Sequence, residues 1–153
     1  MMEKRDTVNK LYEIAKSFRE AIERAIIVGD LTEIDMQKFP VGCCSYASDL
    51  LQRYLIEQGF FTWYISGNYG RGQEAQSHAW LETEDGIVID ITGDQYKYKK
   101  LFFAQPVYVG PRKDGFHELF DQDAPVAYQV DDDPYGHNEK LDKLYKAVLR
   151  NMQ

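Results

Sequence analysis

The chain reads as an α+β protein, and three observations predict it. Apolar residues recur at three- and four-residue intervals over Asp6–Ile27 and again over Glu139–Asn151. A second helix-periodic run begins at the only two cysteines, Cys43 and Cys44. Between these runs the period changes to that of aromatic and β-branched strands broken by a Glu84-Asp85-Gly86 turn. Helices, then neighbouring strands joined by tight turns, then a helix is the order of an α+β domain with an antiparallel sheet. The 153 residues suffice for one domain with a real core. Residues 1–38 form its N-terminal helical segment and residues 134–153 its C-terminal helix.

The elements follow in order. Leu11, Ile14, Ala15, Phe18, Ile22, Ala25 and Ile26 make one stripe of the first helix, with Asp6 or Thr7 as N-cap and Gly29 as its stop. Leu31–Lys38 is irregular, and Pro40-Val41-Gly42 is a corner. From Cys43 or Cys44 to Gln58, Ala47, Leu50, Leu51, Tyr54 and Leu55 share a face, while Asp49, Arg53 and Glu57 line the other. Phe60–Ser66 predicts a strand and Asn68–Gln76 a loop. Ser77–Thr83 and Gly86–Thr92 predict a hairpin. Tyr108-Val109 and Val126–Val130 suggest further strands, Asp131–Gly136 breaks the chain, and Leu141, Leu144, Tyr145, Val148 and Leu149 mark the last helix.

Composition narrows the function. The formal net charge of −7 argues against nucleic acid or anionic membranes as partners, since both require basic patches. No apolar run approaches the roughly 18 residues of a membrane span. Behind the charged start Met1–Asp6 there is no apolar stretch, so no secretory signal is expected and the expected location is cytoplasmic. Adjacent cysteines rarely satisfy disulfide geometry, so both thiols are expected free.

Three polar landmarks stand out: a cysteine at a helix start, His78 at a strand start, and Asp90 near the end of the partner strand. A thiol at a helix N-terminus lies at the positive end of the dipole, which favours thiolate. An imidazole in reach can take the thiol's proton and later deliver it to a leaving group. A carboxylate on the far ring nitrogen fixes tautomer and orientation. With Glu84-Asp85-Gly86 as the turn, opposed residue numbers sum to roughly 168–170, which delivers Asp90 or its neighbour to His78. Neighbouring helical residues point about 100° apart, so at most one cysteine is chemical. Periodicity alone does not choose between them.

Gly42-Cys43-Cys44-Ser45-Tyr46-Ala47-Ser48 resembles the Gly-x-Cys segment of transglutaminase-like proteins and the start of the central helix in papain-like peptidases. Ser77-His78-Ala79-Trp80-Leu81-Glu82 resembles the His-Ala-Trp strand of the transglutaminase-like group, and Asp85–Thr92 the strand that ends in its triad aspartate. The Cys–His–Asp order is also that of arylamine N-acetyltransferases. The resemblance implies a papain-like/transglutaminase-like core with Cys44 as nucleophile, His78 as base and Asp90 as orienting acid. The residue after the nucleophile, often Trp in both groups, is Ser45 here.

Around this triad, Gln95 is a candidate to orient substrate or donate to an oxyanion. Trp80, on the same strand face as His78, is a candidate for substrate positioning or core. Cys43 is expected to pack. His117 and His137 lie in polar segments and are expected at the surface. Asp131–Asp133 lacks the spaced ligands and glycine of a calcium loop. Zinc on Cys43, Cys44 and His78 is disfavoured, because adjacent cysteines poorly suit tetrahedral ligation. The expectation is therefore cysteine-dependent acyl transfer on a protein, peptide or small amide, with no metal and no cofactor. An acyltransferase of the arylamine type and an inactive peptide-binding module on the same fold are the alternatives.

Overall fold

Residues 3–96, 105–128 and 137–153 are described by the computed structural model. Helix α1 (Lys4–Ile27) buries Leu11, Ala15, Phe18, Ile22 and Ala25 completely, the stripe predicted from spacing. It starts at Lys4 rather than after Asp6 or Thr7. Thr7 sits inside the first turn and returns both its N–H and its hydroxyl to the Glu3 carbonyl, at 3.0 and 3.2 Å. Helix α2 (Cys44–Glu57) buries Ala47, Leu50, Leu51 and Leu55. Helix α3 (His137–Arg150) covers this pair through Leu144, Tyr145, Ala147 and Val148.

Strand β1 (Trp63–Tyr69) lies further along the chain than the predicted Phe60–Ser66. Phe60 still belongs to the end of α2, where its N–H bonds the Leu55 carbonyl at 2.8 Å. Asn68 and Tyr69, whose polarity and position predict a loop, extend the strand by pairing with Ser77 and Gln76 of β2 (Gln76–Glu82). Strands β3 (Ile87–Asp90) and β4 (Tyr108–Pro111) continue the sheet on one side. The two-residue strands β5 (Asp121–Gln122) and β6 (Val126–Ala127) both pair with β1 on the other. All these pairings are antiparallel. The chain is therefore α+β among the described residues: three helices and a six-stranded antiparallel sheet. Of the predicted Val126–Val130 strand, residues 129 and 130 lie outside the described residues, as do the acidic run Asp131–Asp133 and the first residues of the predicted 134–153 helix.

The sheet is buried on both faces, which positions the site. Leu81, Ile87 and Ile89 join the core under the helices. On the other face Ile65, Trp80, Val88, Tyr96, Phe116 and Phe120 form a second, aromatic cluster. No helix among the described residues is long and apolar enough to cross a membrane.

Candidate active site

Gly42 has φ +71°, a left-handed conformation that side chains resist, and it turns the chain into α2. Cys43 is the N-cap and Cys44 the first helical residue, where backbone N–H groups have no intrahelical partner and the dipole is positive. Ser48, one turn on, ties this end of α2 to β2 by donating to the Ala79 carbonyl at 3.3 Å. Cys43 is fully buried and donates its thiol to the carbonyls of Asp35 and Val41, each at 3.3 Å. Burial, then the charges at Cys44 and Asp35, push that thiol up to about 11. Cys43 is a packing residue.

Cys44 behaves oppositely. Burial pushes its thiol up, but the hydrogen bond and charge of His78 and the Ala79 N–H outweigh it, so the thiol ends below its ordinary value. His78 is 1 % exposed. Burial favours its neutral form, yet the charge and hydrogen bond of Asp90, with a smaller contribution from Cys44, raise it to about 9. The lowered thiol and the raised imidazole both shift this pair toward thiolate beside imidazolium. Asp90 is itself buried; burial favours its acid, and the two imidazoles beside it, His78 first, hold it well below the usual carboxylate range. Its Oδ2 lies 2.7 Å from His78 Nε2, and its Oδ1 accepts the Thr92 N–H at 2.9 Å.

The hairpin register explains this meeting. Leu81 opposes Ile89 and Glu82 opposes Val88, sums of 170 within the predicted range. Extended, that register sets Asp90 opposite Trp80, so Asp90 is the diagonal, same-face neighbour of His78. Gln95, on a short 3₁₀ turn (Gly93–Tyr96), places its side-chain amide 2.9 Å from His78 Nδ1. Arg19 of α1 anchors that turn, bonding both Asp94 oxygens at 2.7 Å and the Ile91 carbonyl at 2.9 Å. Tyr64 stands over the start of α2, its hydroxyl 3.2 Å from Ser45 Oγ.

Of the two readings of Trp80, substrate positioning or core, its complete burial fits the core. Its ring stacks against His78 at 5.7 Å and its Nε1 donates to Glu82, which Arg112 also engages. Trp80 is a wall behind the imidazole because both faces of β2 are covered. His117 is not at the surface: it is fully buried, with Nε2 at 2.7 Å from Asp90 Oδ2. The sequence signal was the flanking pair Phe116 and Phe120, both 4 % exposed, which carry the intervening turn inward. The side chain of His137 lies outside the described residues.

Nitrogen and oxygen atoms of His78, Asp90 and His117 lie within 4.8 Å of one another, a set that could in principle hold a metal. Zinc ligands at about 2 Å from the ion stand roughly 3.3 Å apart. Here each imidazole nitrogen is 2.7 Å from the same oxygen, a hydrogen-bond distance. Metal-bound imidazoles also donate their second nitrogen to a partner, whereas His117 Nδ1 is buried without one. The donor set fits a hydrogen-bonded relay better than a metal centre.

No family model, no curated protein and no solved structure matches this chain.

Proposed function

We propose that the protein is a cysteine-dependent acyl-transfer enzyme acting on an amide or peptide bond, with Cys44 as nucleophile, His78 as acid and base, and Asp90 as the orienting carboxylate. One observation carries the reading: His78 is a buried imidazole held between a buried carboxylate and a thiol of lowered pKa at a helix start. An inert core cysteine has no use for that arrangement, and Cys43 next to it is driven the other way. The order of helix, strand and partner strand is also compatible with a transglutaminase-like, papain-related core.

In this mechanism the Cys44 thiolate attacks the carbonyl carbon and the oxygen takes the negative charge. The Cys44 backbone N–H at the start of α2 is one donor toward that oxygen. Gln95 is the second. It can donate to His78 Nδ1 only while that nitrogen is unprotonated, so the imidazolium turns the amide toward another acceptor. The C–N bond breaks as His78 delivers its proton to the departing amine, leaving a Cys44 thioester. Water, deprotonated by His78, attacks the thioester and releases the acid and the thiolate. An amine in place of water gives transfer.

The test is iodoacetamide alkylation against pH, with the labelled peptide mapped in wild type, Cys43→Ala, Cys44→Ala and His78→Ala. Selective labelling of Cys44 with an apparent pKa well below the free-thiol value of about 8.5, lost in His78→Ala, supports the triad. Equal, slow labelling of both sulfurs overturns it in favour of a binding module. Peptide cleavage, ammonia release from glutamine, amine incorporation and acetyl-CoA labelling then separate peptidase, deamidase, transglutaminase and arylamine-type chemistry.

A further inference from the structure

We propose that His117 is a fourth member of this site, a positioning residue whose side chain has one polar contact among the described residues, and that this contact fixes the Asp90 carboxylate and divides its charge. The inference rests on the triad reading and extends it to a residue that no triad requires.

The hydrogen-bond inventory carries the argument. Asp90 Oδ2 has two lone pairs, and two imidazoles, His78 and His117, each approach it at 2.7 Å. Oδ1 takes the Thr92 N–H at 2.9 Å. The carboxylate cannot turn without losing at least one of these bonds inside an aromatic shell. His117 is itself held rigidly: stacked on Phe116 at 4.3 Å and on Tyr108 at 5.7 Å, with its edge toward Trp80 at 4.8 Å. Its Nδ1 is buried with no partner, so the proton belongs on Nε2, where Asp90 accepts it. Gly115 closes over that bare nitrogen so tightly that an added Cβ would lie 2.8 Å from it. A buried ring that only filled space would be better as phenylalanine, since the unpartnered nitrogen is costly. The gain that offsets it is the second donor on Asp90.

That donor tempers how hard Asp90 holds the proton of His78. A carboxylate accepting two or three N–H bonds titrates about two units low, roughly one unit of its own basicity per donor, and only part of that passes to a neighbouring imidazole. Without His117 the charge on Oδ2 concentrates on His78, whose proton is then retained to higher pH and delivered more reluctantly.

The experiment follows the upper pH limb of Cys44 alkylation with iodoacetate, whose negative charge is drawn by imidazolium, in wild type, His117→Phe, His117→Gln and Gly115→Ala. In His117→Phe the limb is expected to move up, by no more than about one pH unit. In His117→Gln, whose Nε2 can stand where the imidazole Nε2 stood, it returns to the wild-type position. Gly115→Ala, which pushes on the ring without removing it, moves the limb in the same direction by less. It also keeps the test open should His117→Phe fail to fold. Proton NMR of the wild type should show two far-downfield imidazole N–H signals, one of them lost in the folded His117 variants. Superimposable limbs in wild type and Gly115→Ala, or a single such signal in the wild type, overturn the proposal. A wild type whose Cys44 does not label selectively defeats the triad reading instead, and the NMR signals still report whether His117 bonds Asp90.

Discussion

Asp90→Asn is the most informative single change, because it keeps the shape and removes the charge. Three donors converge on this carboxylate: His78 and His117 at 2.7 Å and the Thr92 N–H at 2.9 Å. An asparagine has one acceptor oxygen and presents an NH₂ where the other oxygen was, so at least one donor faces another donor. A buried donor left unpaired costs about 1–3 kcal/mol. The larger effect is electrostatic. The rise of His78 from 6.5 to about 9 corresponds to roughly 3 kcal/mol favouring imidazolium, and the charge of Asp90 is its largest favourable source. Without that charge, burial makes the ring neutral at pH 7. Cys44 then loses its cationic neighbour, and burial pushes its thiol to the free value of about 8.5 or above. At pH 7 a thiol of that kind is about 3 % thiolate or less, so alkylation should slow toward that level and its pH profile should move up. The assay is the pseudo-first-order rate of iodoacetamide labelling at Cys44 between pH 5 and 10, with urea unfolding run on the same samples. An Asp90→Asn rate profile superimposable on the wild type, in a folded protein, would refute the account of why this thiol is acidic.

Two further outcomes follow from the same geometry. The raised His78 contributes stability that is complete below its unfolded value of 6.5 and lost as pH rises through about 9, whereas the lowered Cys44 contributes stability present above the free-thiol value of about 8.5 and lost as pH falls. The two trends oppose each other in the wild type, so urea midpoints should fall less from pH 6.5 to 9 in the wild type than in Cys44→Ala. In Cys44→Ala the midpoint should fall steadily over that window, and a flat profile would contradict the assignment. Arg19→Met should cost about 3 kcal/mol in urea unfolding, since it strands the half-buried Asp94 and leaves the Ile91 and Pro106 carbonyls without their donor. Because Asp94 precedes Gln95, labelling of Cys44 should also change in that variant; a loss below about 1 kcal/mol would put the pair in the class of surface ion pairs.

Much of this site was legible before any coordinates, and the reason is range. The stripe Leu11, Ala15, Phe18, Ile22, Ala25 is a matter of one helix and its own period. The meeting of His78 with Asp90 depends only on a tight turn and the alternation of two adjacent strands, and both are written locally in Thr83–Gly86. The limits of β1 were less legible, because pairing with β2 recruited Asn68 and Tyr69 despite their polarity.

By itself, then, the sequence determined the α+β class, a helix that begins at Cys43 or Cys44, and a hairpin that brings Asp90 or its neighbour to His78. Periodicity did not choose between the two cysteines; tertiary structure gives them different surroundings. Cys43 and Cys44 differ by one step along a helix, yet one faces carbonyls and the other an imidazole 34 residues away. Packing also decided that Trp80 backs the imidazole, that Arg19 braces the Gln95 turn, and that His117 reaches Asp90. Periodicity records which face of an element is apolar; it carries no information about which distant element will cover that face, and burial, charge and proton affinity depend on that cover.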